Sequence, residues 1–389
     1  MDAPIYVIDL FAGGGGFSSG VHMAGHKVIL CVEHWDQGLA IHQANFPECH
    51  HVMMKMGGDV DNFVESVKTF VKTHVPMGAV WHIHGSPPCQ SFSICQRQNK
   101  DHDVEKDERS NLTTWFFRVL EALNPPRWSF EQVPGVLKFL RTHVPWVFED
   151  KEVHIWPACY GYQFGAPTMR KRLYMGKGWT FDGKTASYGT RKRRKYPGEH
   201  TLGLYQARPD ICDAILLDLK EKTWGDSHVY TVRDVAVSTS ANKWVLTKKE
   251  RELPQFEGKT NKWVPKMEGQ GLRLITGMPI FACISSYPLV MYKRKTSTPV
   301  RNHKSHQDGT WEKFRALKPS ESAAIQGFPA SYKIDKGDLP SKSVMTYHTS
   351  IQSVGTPPCS KKVQITMTAR TRVVGNAVIP LMARAIFKS

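Results

Sequence analysis

The chain has 389 residues, room for two or three domains at roughly 100–200 residues each, and its 41% hydrophobic and 22% charged residues are an ordinary globular mix. A formal net charge of +17 is not ordinary and points to a polyanionic partner, nucleic acid above all. No apolar run reaches the roughly 18 residues that span a membrane, and residues 1–10 lack the basic start and long apolar core of a signal peptide, so no membrane segment is expected.

The elements follow in chain order. Ile5 to Phe11 is a β-branched apolar run that ends in Gly13-Gly14-Gly15-Gly16. Phe17 to Ala24 reads as a helix, and Val28 to Val32 as a second strand closed by Glu33. Ala79 to His84 is a strand running into Gly85-Ser86-Pro87-Pro88-Cys89. Leu112 to Leu123 has helical spacing, Trp128 to Val133 is a strand, Val136 to Val144 a helix, and Arg172 to Met175 a short strand. Alternation of this kind predicts a doubly wound, mainly parallel α/β sheet up to residue 178. From 179 to 314 the alternation stops, turn residues accumulate and Lys and Arg gather, including the run Arg191-Lys192-Arg193-Arg194-Lys195. Trp244, Trp263, Tyr287 and Tyr292 among those charges favour an ordered surface. The expected division is 1–178 as the catalytic and cofactor-binding domain, 179–332 as a smaller, irregular, β-rich target-recognition domain, 333–370 as a connection, and 371–389 as a return to the first domain. Val374 to Phe387 is expected to form the helix that closes it.

Eight cysteines stand at 31, 49, 89, 95, 159, 212, 283 and 359 without Cys-x-x-Cys spacing, so reduced thiols in an intracellular compartment are expected. That compartment is the cytoplasm or nucleoid, or the nucleus in a eukaryotic host. Two clusters invite a metal reading. Adjacent Cys49-His50-His51 cannot readily place three side chains on one ion, and His82-x-His84 offers only two ligands on one strand face, so no metal is expected.

Two loops carry chemistry. The glycine turn after Asp9-Leu10-Phe11-Ala12 lets backbone approach a ligand, and Glu33 follows about 20 residues on, where an acid accepts bonds from ribose hydroxyls. Trp35 is placed to stack on adenine or to pack in the core. Pro87-Pro88 fixes the backbone before Cys89, a thiol at the end of a strand. Phe130-Glu131-Gln132-Val133-Pro134-Gly135 brings a carboxyl to the end of another. Carboxyl ends of parallel strands line one crevice, so thiol and acid converge near the bound ligand.

These motifs, with Gly58-Asp59-Val60, Phe164 to Arg172, Arg315 to Pro329 and Gly375-Asn376-Ala377-Val378, resemble the cytosine-5 DNA methyltransferase family of the restriction-modification type. The resemblance implies a class I S-adenosylmethionine methyltransferase fold, S-adenosyl-L-methionine as cofactor, double-stranded DNA as partner and a monomer. It assigns the nucleophile to Cys89, the acid to Glu131, and the paired arginines near a flipped cytosine to Arg170 and Arg172. Phe11, Gly13, Gly15, Gly16, Glu33, Trp35, Asp59, Val60, Asn376 and Val378 are the implied cofactor residues. The segment from Ser91 to Arg109 is the implied lid over the extruded nucleotide. Gln132, Thr168 and Ala324 depart from the usual Asn, Gln and Arg.

Three alternatives stay open at this level. The tRNA-methylating branch shares the core, although its usual Cys-Phe-Thr tripeptide is missing. A non-catalytic nucleic-acid-binding relative should have lost Cys89 or Glu131, and both are present. A nicotinamide-dependent oxidoreductase explains the glycine turn but not Pro88-Cys89-Gln90.

Overall fold

The computed structural model describes residues 3–92, 103–104, 107–168, 170–181, 207–222, 235–238, 271–273, 289–294, 310–335, 343–346 and 360–388. The Arg191–Lys195 run, most of the implied lid, and Trp244, Trp263 and Tyr287 lie outside them.

The strands of the main sheet are β1 (Tyr6–Leu10), β2 (Lys27–Glu33), β3 (His50–Met53), β4 (Trp81–Gly85), β5 (Trp128–Gln132), β6 (Val153–Tyr160) and β7 (Lys171–Lys177). The helices before residue 150 are α1 (Gly16–Met23), α2 (Asp36–Asn45), α3 (Val60–His74), α4 (Glu108–Leu123), α5 (Leu137–His143) and α6 (Trp146–Glu149). Later come α7 (Pro209–Lys222), α8 (Pro319–Ile325), α9 (Met367–Asn376) and α10 (Pro380–Ile386). The sheet order is β3-β2-β1-β4-β5-β7-β6. β7 pairs antiparallel with both β5 and β6, and the other pairings are parallel. This is the doubly wound, mainly parallel α/β sheet expected. The chain reverses its direction of winding between β1 and β4, and that switch point opens a crevice at the strands' carboxyl ends.

Two apolar layers cover the faces. One contains Val7, Phe17, Leu39, Tyr174, Val374, Ile379 and Ile386; the other contains Ile8, Leu30, Val64, Phe116, Phe130 and Leu173. Central strands buried on both faces read as continuous apolar runs, which is why β1 and β2 were legible. α3 shows the opposite pattern: Val60, Phe63, Val64, Val67 and Phe70 recur at helical spacing on one buried face.

Three features differ from expectation. The tail is two helices, not one, because Ala377 and Ile379 are extended and Pro380 starts a new first turn. The core continues past residue 178: Trp179 Nε1 donates to the Trp128 carbonyl at 2.7 Å, and Phe181 packs beside Trp156 and Trp179. Residues 179–314 contain a helix, α7, as well as strands. Those strands, β8 (Val235–Ser238), β9 (Gly271–Arg273), β10 (Leu289–Arg294) and β11 (Thr310–Ala316), form one antiparallel sheet ordered β11-β10-β8-β9. Arg315 joins α7 to the core, bonding both oxygens of Glu321 at 2.7 Å and approaching Asp218 at 2.9 Å. Ala323, Phe328 and Tyr332 pack in the same layer as Phe17 and Val374, so this end of 179–332 is core, and Ile334 just beyond it joins the same layer. Beyond it, β12 (Ser343–Thr346) and β13 (Ser360–Val363) pair antiparallel.

Candidate active site

A cleft of about 210 Å³ lies at the switch point. Ten of the implied site residues line it: Phe11, Gly13, Glu33, Trp35, Cys89, Glu131, Arg170, Arg172, Asn376 and Val378. They come from the ends of β1, β2, β4 and β5, the start of β7, and the end of α9.

On one side of the cleft, the chain after β1 turns through left-handed backbone at Phe11 (φ 58°), Gly13 (φ 54°) and Gly15 (φ 92°). A bulky non-glycine residue in that region is strained, and such strain persists only where the surroundings over-determine it. Tyr332 supplies part of that support by donating its hydroxyl to the Gly14 carbonyl at 2.7 Å. Gly16 is needed for another reason: a Cβ there would strike the Val378 carbonyl. Gly15 and Gly16 do not line the cleft; they let the turn sit against α2 and the α9–α10 junction. Asp59 and Val60 do not line it either. The Asp59 carboxylate caps α3, accepting from Asn62 N at 2.8 Å, and Val60 is buried in the second apolar layer.

Glu33 is buried and holds the turn. Its Oε1 accepts from the backbone N–H of His34 and of Trp35, each at 2.8 Å, and its Oε2 accepts from Gly13 N at 2.8 Å. Burial opposes its charge, but the His34 ring at 2.9 Å and those N–H groups outweigh it and hold the carboxyl below its usual range. Arg372, four residues before Asn376 and so on the same face of α9, lies 4.9 Å over the Trp35 ring. His34 and Arg372 line the cleft although neither is among the expected site residues, and Ser86 and Gln90 were expected only as part of the motif around Cys89; helical spacing from Asn376 is a signal that could have found Arg372.

On the other side, Cys89 is a partly exposed free thiol. Its loop is held from β5: Gln132 Nε2 donates to the Pro87 carbonyl at 2.9 Å, and Gln132 Oε1 accepts from Val133 N at 2.8 Å. The departure from Asn at this position therefore keeps a bond to the Cys89 loop. Glu131 is buried with Arg172 Nε 2.9 Å from Oε1. Burial raises its carboxyl above the usual range, against the lowering pull of Arg172 and then Arg170. Arg170 is buried, donates to the Gly375 carbonyl at 2.7 Å, and is pushed down by burial and by Arg172. Its backbone N–H donates to Thr168 Oγ1 at 3.2 Å. The Arg170 and Arg109 guanidiniums are the cations near enough to Cys89 to interact with it electrostatically. Arg109 is itself clamped by Asp107 at the start of α4.

His82 and His84 share a strand face as expected, and both reach Ser129 Oγ, at 2.7 and 2.8 Å. They serve packing under Phe17, which stacks on His84 at 3.5 Å. No helix among the described residues is long and apolar enough to cross a membrane.

Comparison with known proteins agrees with this geometry. The chain is 32% identical over 118 residues to type II methyltransferase M.HgiGI of Herpetosiphon aurantiacus, covering 30% of this chain and 82% of that one. It is 32% identical over 118 residues to M.HgiDI of the same organism, covering 30% of this chain but only 33% of the relative. It is 29% identical over 178 residues to M.DdeI of Desulfomicrobium norvegicum, covering 43% and 39%. The matched stretch thus spans about a third of M.HgiDI and M.DdeI. Among solved structures, the S. pombe Dnmt2 methyltransferase superposes with a TM-score of 0.51 at 14% identity, covering 99% of this chain and 98% of that one, a likeness of fold. Residues 5–357 match the C-5 cytosine-specific DNA methylase family, and the chain belongs to that family.

Proposed function

We propose that the protein methylates C5 of cytosine in a short duplex DNA sequence, with S-adenosyl-L-methionine as methyl donor and Cys89 as covalent nucleophile. The observation that carries the reading is the meeting, in one cleft, of a thiol, a buried acid–arginine pair and a glycine turn closed by a buried carboxylate. The cofactor fits the first half of that cleft. Glu33 Oε2 accepts only from Gly13 N among the described residues, which leaves acceptor capacity for a ribose hydroxyl. Trp35 and Phe11 offer aromatic surface beside it. When bound, the cofactor supplies an electrophilic methyl group.

The protein's residues do the rest. Cys89 thiolate adds to C6 of a cytosine swung out of the stack, and the electron pair displaced from the C5–C6 bond makes C5 nucleophilic. Glu131, whose proton affinity burial raises, bonds to cytosine N3 and delivers a proton there as the adduct forms, which stabilises it. Arg172 orients Glu131, and Arg170, fixed on Gly375, keeps the positive charge that faces the thiolate. After methyl transfer the C5 proton passes to water, the C5–H electron pair restores the C5–C6 double bond, and the S–C6 pair leaves with Cys89 as the thiolate.

The sheet β8–β11 with α7 belongs to the target-recognition part of this proposal, and 333–370 to a connection that returns the chain to the cleft. The bound DNA supplies phosphates for the excess of Lys and Arg, and a few side chains read base edges. The test is duplex DNA carrying 5-fluorocytosine, incubated with the full chain and S-adenosyl-L-methionine. A covalent protein–DNA adduct is expected, because fluorine cannot leave as the proton does. Bisulfite sequencing of DNA from a methylation-free host then gives the site. Turnover on tRNA and none on any duplex overturns the reading.

A further inference from the structure

Beneath the cofactor turn lies a cluster that the proposed reaction does not use. Asp9 on β1 is the register partner of Cys31 on β2, and Cys31 is the register partner of His51 on β3. Laterally paired residues of parallel strands point to the same face of the sheet. His42 from α2 and Ser18 from α1 pack over that face. The Cys31 thiol and one ring nitrogen each of His42 and His51 lie within 4.8 Å of one another. Cys31 and His42 are fully buried.

The hydrogen bonds fix which nitrogens are free. Ser18 donates its single proton to Asp9 Oδ2 at 2.7 Å. Its Oγ, 2.9 Å from His42 Nε2, therefore accepts from that nitrogen, and a neutral His42 is left with its lone pair on Nδ1. His42 Nδ1 faces His51 Nε2 at 2.9 Å, a spacing that holds either a shared proton or, after a slight opening, a common cation. On the far side of His42, the Nε2–H to Ser18 to Asp9 chain is the outer support that orients a metal-ligating histidine and raises its basicity.

We infer that Cys31, His42 and His51 form a buried zinc site that ties β1, β2, β3, α1 and α2 together under the cofactor turn. One thiolate and two imidazoles are the donors that zinc takes in structural sites, and hard cations such as magnesium disfavour them. Cys49 is a further buried thiol in the neighbourhood of Cys31. On binding, the Cys31 S–H bond breaks, sulfur keeps the electron pair for the metal, and one proton is released to solvent. The His51 proton moves from Nε2 to Nδ1 with no net release. The site steadies the cofactor half of the cleft, because Phe11 and Glu33 each stand two residues beyond a member of the cluster, Asp9 and Cys31.

The test uses tag-free full chain stripped with a chelator and titrated with Co²⁺ as a coloured stand-in for Zn²⁺. One equivalent should produce a thiolate-to-cobalt charge-transfer band, Zn²⁺ should abolish it, and calorimetry in buffers of different ionisation enthalpy should show one proton released. Cys31→Ala should lose the band. His51→Gln, at a half-buried position, should lose it too, with circular dichroism reporting that the fold is intact. Ser18→Ala should keep the band and weaken the metal by about 10–100-fold. No saturable band in the wild-type chain overturns the proposal, as does a band that survives both Cys31→Ala and His51→Gln.

Discussion

The two halves of the cleft are held in place by different physics. The cofactor half is shaped by backbone: left-handed turns at Phe11, Gly13 and Gly15, helices pressed against the glycines, and one buried carboxylate gathering three N–H groups. The base half is shaped by side chains: prolines stiffen the Cys89 loop, Gln132 anchors it, and Arg172 and Glu131 compensate each other's charge. The first arrangement suits recognition of a ligand that does not change shape. The second suits chemistry, where charge must develop at defined atoms. A substitution in one half should therefore alter binding, and one in the other half should alter turnover.

Cys89→Ser should break that comparison most sharply. The hydroxyl is a far weaker nucleophile near neutral pH, so methyl transfer should fall to background while the cofactor dissociation constant stays near wild type. Retained turnover would remove Cys89 from the role proposed here. Glu33→Gln should do the reverse. The neutral amide accepts through one oxygen and presents an N–H₂ toward the Gly13 or the Trp35 amide. Losing charge-assisted bonds costs about 1.5–3 kcal/mol, which calorimetry should register as weaker cofactor binding. If turnover at saturating cofactor falls and affinity does not, Glu33 belongs functionally to the other half.

Gln132→Leu tests the anchor. It keeps the volume but leaves the Pro87 carbonyl and the Val133 N–H without their partner, a loss of about 1–3 kcal/mol. The expected result is a lower turnover number with little change in cofactor affinity, because the Cys89 loop loses its fixed position. Gln132→Asn, one methylene shorter, should recover part of the loss. A melting temperature that falls without any change in turnover would make Gln132 a purely structural residue.

How much of this was legible depended on whether the signal was local. β1, the glycine turn and β2 could be read because buried parallel strands give unbroken apolar runs and because turns need glycine. Cys89 and Glu131 could be placed at one crevice because Cys89 follows a strand and Glu131 stands at the end of one. The Gly16 requirement could not be read, since the atom it avoids is the carbonyl of Val378, distant in sequence. The single tail helix expected from Val374 to Phe387 failed because Pro380 outweighed an apolar pattern that runs through it. The Cys31, His42 and His51 cluster was invisible for a similar reason: its spacing matches no linear motif, and only strand register aligns Cys31 with His51. Asp59 was read toward adenine, yet its carboxylate caps α3, a role that Asp before an amphipathic helix commonly takes.

The smallest effect concerns Arg372, which stands over Trp35, one of the aromatic rings that line the cleft beside Glu33. Its guanidinium lies 4.9 Å from the Trp35 ring centre, and Gly38 lies close to the same ring, where a Cβ would approach Trp35 Cε3 to 2.8 Å. The ring is thus positioned from two directions before any ligand arrives. A cation over an indole at a partly exposed site contributes about 0.5–1 kcal/mol. Arg372→Ala should therefore weaken cofactor binding by roughly two- to five-fold, since a freed ring loses rotamer order that binding must restore. Turnover at saturating cofactor should not change, because Arg372 contacts none of Cys89, Glu131 or Arg172 among the described residues. Arg372→Lys should fall between, as an ammonium keeps the charge but not the planar face. Tighter binding in Arg372→Ala would reverse the reading: Arg372 would then be covering the face that adenine needs, and Trp35 would be a gated platform rather than a preset one.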